Sequence, residues 1–410
     1  MKNANKSNQS KFLYGIFKLL CISVSGIVFR RKFIRNEIKD KKGPLVIISN
    51  HAAALDFVNL VGATKRPMNF VISNSFYRTL PFKAILPKLG LIPKQQFQTS
   101  PHDLKRMKEI IDSGEILVIY PAGLMSDDGT QTPLPAGTYK FLQWLKADIY
   151  MAKNFGTYFV MPKWRVGGMR SGKTFLDIYK LYDKDEIASA DIFDIQTKVD
   201  NALSFDAYAE QEELLVKHKK GNDIRGIENV LYKCPNCKTE FSVRVKNKNT
   251  IYCTACDFQH VADEYQFLHN VGGADNELRH ISDWNVSIRE DVKREIESGK
   301  LTKISSAVKI HMISPKSGKF ESAGEATVSL DENGFKLVGN INDEPIDITV
   351  SADTFPALPY KPGVYFEIQH GEKIYRCFPE DGRLTIKFIN MIEELYRIKA
   401  ELREASHCNT

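Results

Sequence analysis

No apolar run in the sequence is long enough to suggest a bilayer-spanning helix. The apolar stretch at residues 19–29 has 11 residues, against about 20 for a spanning helix. No small-residue cleavage site follows it, so a secretory leader is not expected. The sequence contains no Gly-x-Ser-x-Gly, no internal repeat and no low-complexity tract. These absences argue against a serine hydrolase elbow and against a solenoid. Cysteine is scarce, at seven residues, and four of the seven fall in two close pairs. That pattern points to metal binding in a reducing compartment rather than to a disulfide framework.

The chain of 410 residues has room for two or three domains, and 43% hydrophobic with 26% charged residues is ordinary globular material. Charge is unevenly placed. Residues 1–42 carry eleven Lys or Arg against Glu37 and Asp40, a net +9, while the whole chain is +7, so the other 368 residues sum to −2. Within this basic segment lies KFLYGIFKLLCISVSGIVFRRKF. A basic, aromatic, amphipathic stretch suits the interface of an anionic membrane. Residues 1–43 are therefore expected to associate peripherally or monotopically with the cytoplasmic face of a membrane. The alternative is a helix packed on the following domain with a solvated basic face.

Short apolar runs at residues 44–49, 68–73 and 115–120 read as buried strands. Between them lie helical patterns such as PHDLKRMKEIIDSG, with Pro101 early and Gly114 as a stop. The alternation predicts a mixed, mostly parallel sheet flanked by helices, an α/β domain over residues 44–220. Residues 216–226 read as a polar linker. A cysteine-rich segment (221–270) follows, then a β-rich domain (271–410) that opens on a helix near 284–298. Its strand-like runs are punctuated by turn signals such as Asn333-Gly334 and Asp381-Gly382, and it closes on an amphipathic C-terminal helix. By analogy alone this last domain suggests a pleckstrin-homology or GRAM-type barrel.

His51 and Asp56, in VIISNHAAALDF, are the first candidate for chemistry. On a regular helix five residues turn through about 500°, leaving the two about 140° apart. They meet only if His51 sits at the strand-to-helix turn and Asp56 about one turn into the helix. The alanines at 52–54 favour helix and leave room for a ligand. Asn50 is a plausible turn or cap residue. An aspartate on one imidazole nitrogen fixes the tautomer, so the other can take a proton from a hydroxyl. The alternative is a core histidine and an aspartate serving the helix dipole.

The segment SNHAAALDF resembles the Asn-His-x4-Asp motif of the glycerolipid (lysophosphatidic acid) acyltransferase family. LPKLGLIPKQQF is similar to that family's second block, VIYPAGLMSDDG to its Phe-Pro-Glu-Gly-Thr-Arg-Ser block, and Gly137 falls where the family opens its next helix. The resemblance covers roughly residues 12–215. It implies acyl transfer without an acyl-enzyme. His51, oriented by Asp56, would deprotonate an acceptor hydroxyl, which attacks the carbonyl of an acyl-CoA, an acyl-carrier protein or an acyl phosphate. Backbone amides would hold the oxyanion. The acceptor would be a lysophospholipid such as 1-acyl-glycerol-3-phosphate. Candidate substrate-binding residues in the matched blocks are Asn50, Lys94, Tyr120, Pro121 and Gly123. Lys94, Lys163, Arg165 and Arg170 would supply replacement phosphate contacts, the alternative for each being a solvated surface charge. Cys21 reads as a small buried hydrophobe rather than a nucleophile.

The third block departs from the family. Ala122 stands for its Glu and Met125 for its Arg, so neither can hold a hydroxyl or a phosphate. Tyr120 replaces the usual Phe, and Lys94 replaces an arginine without its bidentate fork. These changes put the acceptor in doubt rather than the dyad. They also motivate another reading, a catalytically weakened lipid-binding or scaffold protein at the membrane. Asp127 and Asp128 read as a turn.

Cys234, Cys237, Cys253 and Cys256 form C-x2-C-x15-C-x2-C around a hairpin, a zinc ribbon by spacing. Four thiolates fill a tetrahedral shell, so the expected zinc is structural. His260 and His269 read as surface residues outside the ligand set. The ribbon's basic residues are interleaved only with Tyr232, Phe241 and Tyr252, too few to suggest a nucleic-acid surface. A ribbon followed by a β-rich tail resembles a bacterial subset of the same family.

Overall fold

The computed structural model describes residues 9–97, 100–273, 278–354 and 356–408, with side chains to residue 402. The first eight residues of the basic segment lie outside this set. The chain divides into two compact units, Met1–Lys163 with Gly167–Gly221, and Trp164–Val166 with Asn222–Thr410.

The first unit is built on a seven-stranded sheet. Its strands are β1 (Lys32–Asn36), β2 (Leu45–Ser49), β3 (Met68–Ser73), β4 (Leu91–Lys94), β5 (Ile116–Ile119), β6 (Asp148–Phe155) and β7 (Phe175–Tyr182), in the order β1-β7-β6-β2-β5-β3-β4. All neighbours run parallel except β6 and β7. The helices are α1 (Lys11–Ile27), α2 (Asp56–Val61), α3 (Asn74–Thr79), α4 (Pro101–Asp112), α5 (Thr138–Leu145), α6 (Thr157–Val160), α7 (Lys184–Ser189), α8 (Ile192–Leu203) and α9 (Ala207–Leu214). Local chemistry accounts for several ends. The Ser100 hydroxyl caps α4, Pro101 opens it, and Gly114 leaves it at φ +77°, a conformation that favours glycine.

Central strand β2 is buried on both sides, which is why LVIIS is apolar throughout. Val46 and Ile48 join Leu117, Met107, Ile111, Leu142 and Val199 in one core cluster. Leu45 and Ile47 point the other way, into a second cluster with Cys21 of α1 and Val58, Leu60 and Val61 of α2. At one edge Arg35 of β1 grips Asp177 of β7 with two bonds of 2.9 Å each.

The second unit begins with a four-stranded antiparallel ribbon of β8 (Val243–Lys246), β9 (Thr250–Cys253), β10 (Gln259–Ala262) and β11 (Leu268–Asn270). Helix α10 (Ile281–Glu297) leads into a second seven-stranded sheet. Its strands are β12 (Lys303–Ile313), β13 (Phe320–Asp331), β14 (Gly334–Ile341), β15 (Glu344–Ser351), β16 (Tyr360–Lys361), β17 (Tyr365–His370) and β18 (Lys373–Pro379). Two antiparallel meanders, β12–β15 and β16–β18, join where β12 pairs with β18. The chain ends in α11 (Leu384–Cys408), whose Phe388 packs on Phe335 and Phe366.

One expectation is refined and one corrected. The boundary between the two units falls within residues 216–226, but this polar stretch is partly covered. His218, Asp223 and Ile224 are buried, His218 lies against Phe159, and Lys219 N donates to Ser171 O. His260 is not on the surface either. It is fully buried and stacked on Phe258, whereas His269 is exposed and pairs with Asp263.

Candidate active site and metal centre

In open α/β sheets, ligand sites lie beyond the carboxyl ends of the strands. His51 and Tyr120 follow the carboxyl ends of β2 and β5, which are direct neighbours. Their rings sit 4.5 Å apart. His51 occupies the turn between β2 and α2, and Asp56 is the first residue of α2. Ala52–Ala54 form bends and turns rather than helix, and this irregular loop folds the two side chains together. His51 Nδ1 lies 3.1 Å from Asp56 Oδ2, which also accepts the Ala53 amide at 2.9 Å. An ionised carboxylate only accepts hydrogen bonds, so Nδ1 carries the proton and Nε2 is the basic nitrogen. Asp56 is fully buried, whereas the His51 side chain is 20% exposed.

The turn after β5 supplies a second wall. Gly123 N donates to Tyr120 O at 3.0 Å, and Gly123 stands at φ +69°, the left-handed region. Pro121 lies in this turn, half-buried. Burial and the nearby Asp56 carboxylate push the Tyr120 phenol well above its ordinary range, so it stays neutral. Gln96 Nε2 donates to Gly123 O, and a Cβ on Gly123 would lie 3.9 Å from the Phe97 ring. The second and third blocks therefore touch. Ala122 and Leu124 are buried and Met125 is half-buried, so these positions of the third block are apolar and mostly covered. Asp128 holds a turn, accepting Thr130 N at 2.9 Å.

The remaining candidates are placed differently. Lys94 ends β4, with Nζ donating to Gln95 O at 3.0 Å. Its ammonium is depressed by burial and partly restored by Asp103. Asn50 does not face a ligand. Its amide is buried against β6, where Nδ2 donates to Asn154 O at 2.9 Å and Oδ1 accepts Asn154 N at 2.8 Å. Lys163 is ion-paired with Asp127 at 3.1 Å. Arg165 belongs to the second unit, where it contacts Asp223 at 3.4 Å. Arg170 is buried, with Nη1 donating to Phe159 O at 3.0 Å. Gln96 and Phe97 end the second block but are not among its candidate residues, and Asn59 and Asn154 lie outside any block.

Residues 30–161 match the family model described as Acyltransferase. Over these residues the chain is similar to the acyltransferase family. A solved structure similar to it is the crystal structure of the 1-acyl-sn-glycerophosphate (LPA) acyltransferase PlsC from Thermotoga maritima. The TM-score is 0.39 at 16% identity, over 52% of this chain and 84% of that one. No curated protein sequence matches the chain. The matched residues span β2, α2 and the turn after β5, and so include His51, Asp56 and Tyr120. Gly137, aligned by resemblance with a helix-opening glycine, is the residue before α5.

In the second unit the four ribbon sulfurs converge. All lie within 4.8 Å of one another, with Cys234–Cys256 and Cys237–Cys253 each at 3.7 Å. A disulfide needs about 2.05 Å. A tetrahedron of thiolates at about 2.3 Å from zinc has edges of about 3.8 Å. The donor set therefore fits a metal such as zinc.

Proposed function

We propose that the first unit moves a fatty acyl group from an activated donor to a lysophospholipid or related polar hydroxyl acceptor at a lipid surface. The donor would be acyl-CoA, acyl-carrier protein or acyl phosphate, and 1-acyl-glycerol-3-phosphate is the reference acceptor. The reading rests on the His51–Asp56 pair inside the segment similar to the acyltransferase family. With Asp56 holding Nδ1–H, Nε2 takes the acceptor proton as its oxygen attacks the acyl carbonyl. The tetrahedral intermediate collapses, the carbonyl–sulfur (or phosphate oxygen) bond breaks, and the imidazolium returns the proton to the leaving group. No covalent enzyme intermediate is required. Cys21, a thiol in this unit, is buried and pushed up to about 12, which suits packing rather than attack.

The lipid surface is supported by α1. It buries Tyr14, Cys21 and Ser25 but leaves Phe12, Ile16, Leu19, Leu20 and Ile27 exposed. Among the described residues no helix is long and apolar enough to cross a membrane. An exposed apolar face next to the basic residues at 30–32 suits peripheral binding to anionic lipid at a cytoplasmic face. The ribbon metal, taken as zinc, would hold the knuckles of the second unit together and leave no ligand position open for substrate.

The apolar residues Ala122 and Met125, where the resemblance expects Glu and Arg, favour one other reading, a lipid-binding scaffold without turnover. Purified protein incubated with radiolabelled acyl-CoA, acyl-carrier protein or acyl phosphate and a panel of lysolipids separates the two. Acylated product that disappears in His51→Ala supports transfer. Lipid binding without product from any pair supports the scaffold.

A further inference from the structure

We infer that Asn59 and Asn154 are positioning residues, closing a ring of hydrogen bonds that holds His51 against Asp56; the catalytic part of this inference rests on the function proposed above. The ring can be followed residue by residue. His51 bonds Asp56, and Asp56 opens α2. Three residues along that helix, Asn59 Nδ2 donates to Asn154 Oδ1 at 3.4 Å. Asn154 is tied to Asn50 through its own backbone, with Asn50 Nδ2 donating to Asn154 O at 2.9 Å and Asn154 N donating to Asn50 Oδ1 at 2.8 Å, so the Asn154 side chain joins the ring only at its Asn59 end. Asn50 is the residue before His51, which closes the circuit.

Both members of the dyad are thus tied to the same pair of asparagines, one through the β2 end and the other through α2. The tie matters because α2 cannot fix itself. It has six residues and no side-chain cap at its N-terminus, too short to be stable by itself, so its placement rests on the packing of Val58, Leu60 and Val61 and on the bonds made by Asn59. Its Nδ2 also reaches Thr174 Oγ1 at 3.2 Å, and its Oδ1 accepts the Ser25 hydroxyl of α1 at 3.0 Å. Asn154 Nδ2 donates to Ser49 Oγ at 3.2 Å, whose hydroxyl donates to Ala152 O at 2.7 Å.

Ser25, Ser49, Asn50, Asn59, Asn154 and Thr174 are all buried beside an apolar cluster that includes Val58, Leu60, Tyr150 and Ala152. A buried amide that loses a partner bears the cost of an unmade hydrogen bond, which favours one orientation for each. A shift of Asn59 therefore moves Asp56 rather than being absorbed locally.

The test uses the full chain labelled with 15N-histidine, with the His51 signals assigned by their loss in His51→Gln. The Nδ1–H signature of His51 bonded to Asp56 is expected in the native protein and in Leu60→Met, a volume-conserving change on the same helix. It should be lost or displaced in Asn59→Leu and Asn154→Leu, as in Asp56→Asn. Turnover in Asn59→Leu should fall about 100-fold with KM little changed, the scale expected for a misplacement near 1 Å. Thr174→Val, which keeps the side-chain shape and removes one Asn59 partner, should show a smaller change in the same direction, and it stands in if Asn59→Leu fails to fold. A folded Asn59→Leu or Thr174→Val protein with unchanged spectrum and turnover overturns the inference. If no preparation transfers acyl groups, the proposed function fails while the spectra still decide whether the ring holds the dyad.

Discussion

The backbone amide of Ser126 donates to the backbone carbonyl of His51 at 3.0 Å. The loop after β5, which carries the altered third block, is therefore bonded directly to the loop that carries the dyad. Changes between Tyr120 and Ser126 can reach His51 without touching its ring.

That link bears on Ala122 and Met125. Ala122→Glu with Met125→Arg would restore the pair that the resemblance expects, but into a turn where Ala122 and Leu124 are buried. An unpaired buried charge costs several kcal/mol. Activity on the true acceptor is expected to fall. Rates for both proteins against a lysolipid panel check this, and a clear gain on lysophosphatidic acid would show the site to be a weakened form of the usual one.

His51→Ala should abolish transfer, and some fall in melting temperature is expected because the change leaves the buried Asp56 without its imidazole partner. Asp56→Asn keeps the imidazole but loses the charge that orients it. A small residual rate is expected, lower by up to about 10⁴-fold. Steady-state kinetics with thermal melts of both variants provide the measurement, and full activity in His51→Ala would end the mechanism.

Metal removal should act on the second unit alone. A strong chelator is expected to release one metal per chain and make residues 230–260 susceptible to protease, because thiolate ligation ties local folding to the metal. Elemental analysis of fresh protein should find zinc or iron. Cys237→Ser should reproduce the protease sensitivity without chelator.

Deleting α1 would strip Tyr14, Cys21 and Ser25 from the first unit's interior, so surface charges make the cleaner experiment. Leu19→Glu with Leu20→Glu alters two exposed positions. Co-sedimentation with anionic vesicles should drop at least tenfold, a change of about 1.4 kcal/mol. Raising the salt should weaken the native protein's binding, since each basic residue near the surface contributes about 1 kcal/mol. Equal sedimentation of both proteins would defeat the lipid-surface proposal.

Asp223 gives the second unit an acid-sensitive joint. The Arg225 guanidinium, helped by Arg165, lowers its carboxyl to about 2. A depressed carboxyl stabilises the fold above its unfolded pKa of about 3.9, and that contribution is lost as pH falls toward 2. Asp223→Asn should therefore cost on the order of 2 kcal/mol at pH 7 and progressively less below pH 4. Thermal melts at pH 7 and pH 3 check the convergence.

Much of the fold can be read in the sequence because the deciding signals are local. LVIIS is apolar throughout, as a strand buried on both faces must be. Pro101 and Gly114 bracket α4, and the two C-x2-C pairs bring four sulfurs together. What escapes reading is long-range. Asn154 is one polar letter in DIYMAKNF, and only its bonds to residues far away in the chain give it a role. Arg165 and Asp223 look like surface charges until they meet. His260 looks exposed until Phe258 covers it. Polarity alone cannot separate a solvated residue from one whose partner lies a hundred positions away.

The edge strand β1 carries a consequence for the order of assembly. Its Lys32 aligns with Phe175, and its Arg35 with Asp177, on a strand made much later in synthesis. Until β7 leaves the ribosome, β1 has no neighbour, and the helix just before it has only part of its seat. Closing so long a loop is slow compared with forming a helix. The nascent chain is therefore expected to present its greasy, cationic leading helix well before the sheet is complete. Docking of that helix on lipid could then begin during translation, ahead of the strand that later closes the sheet edge.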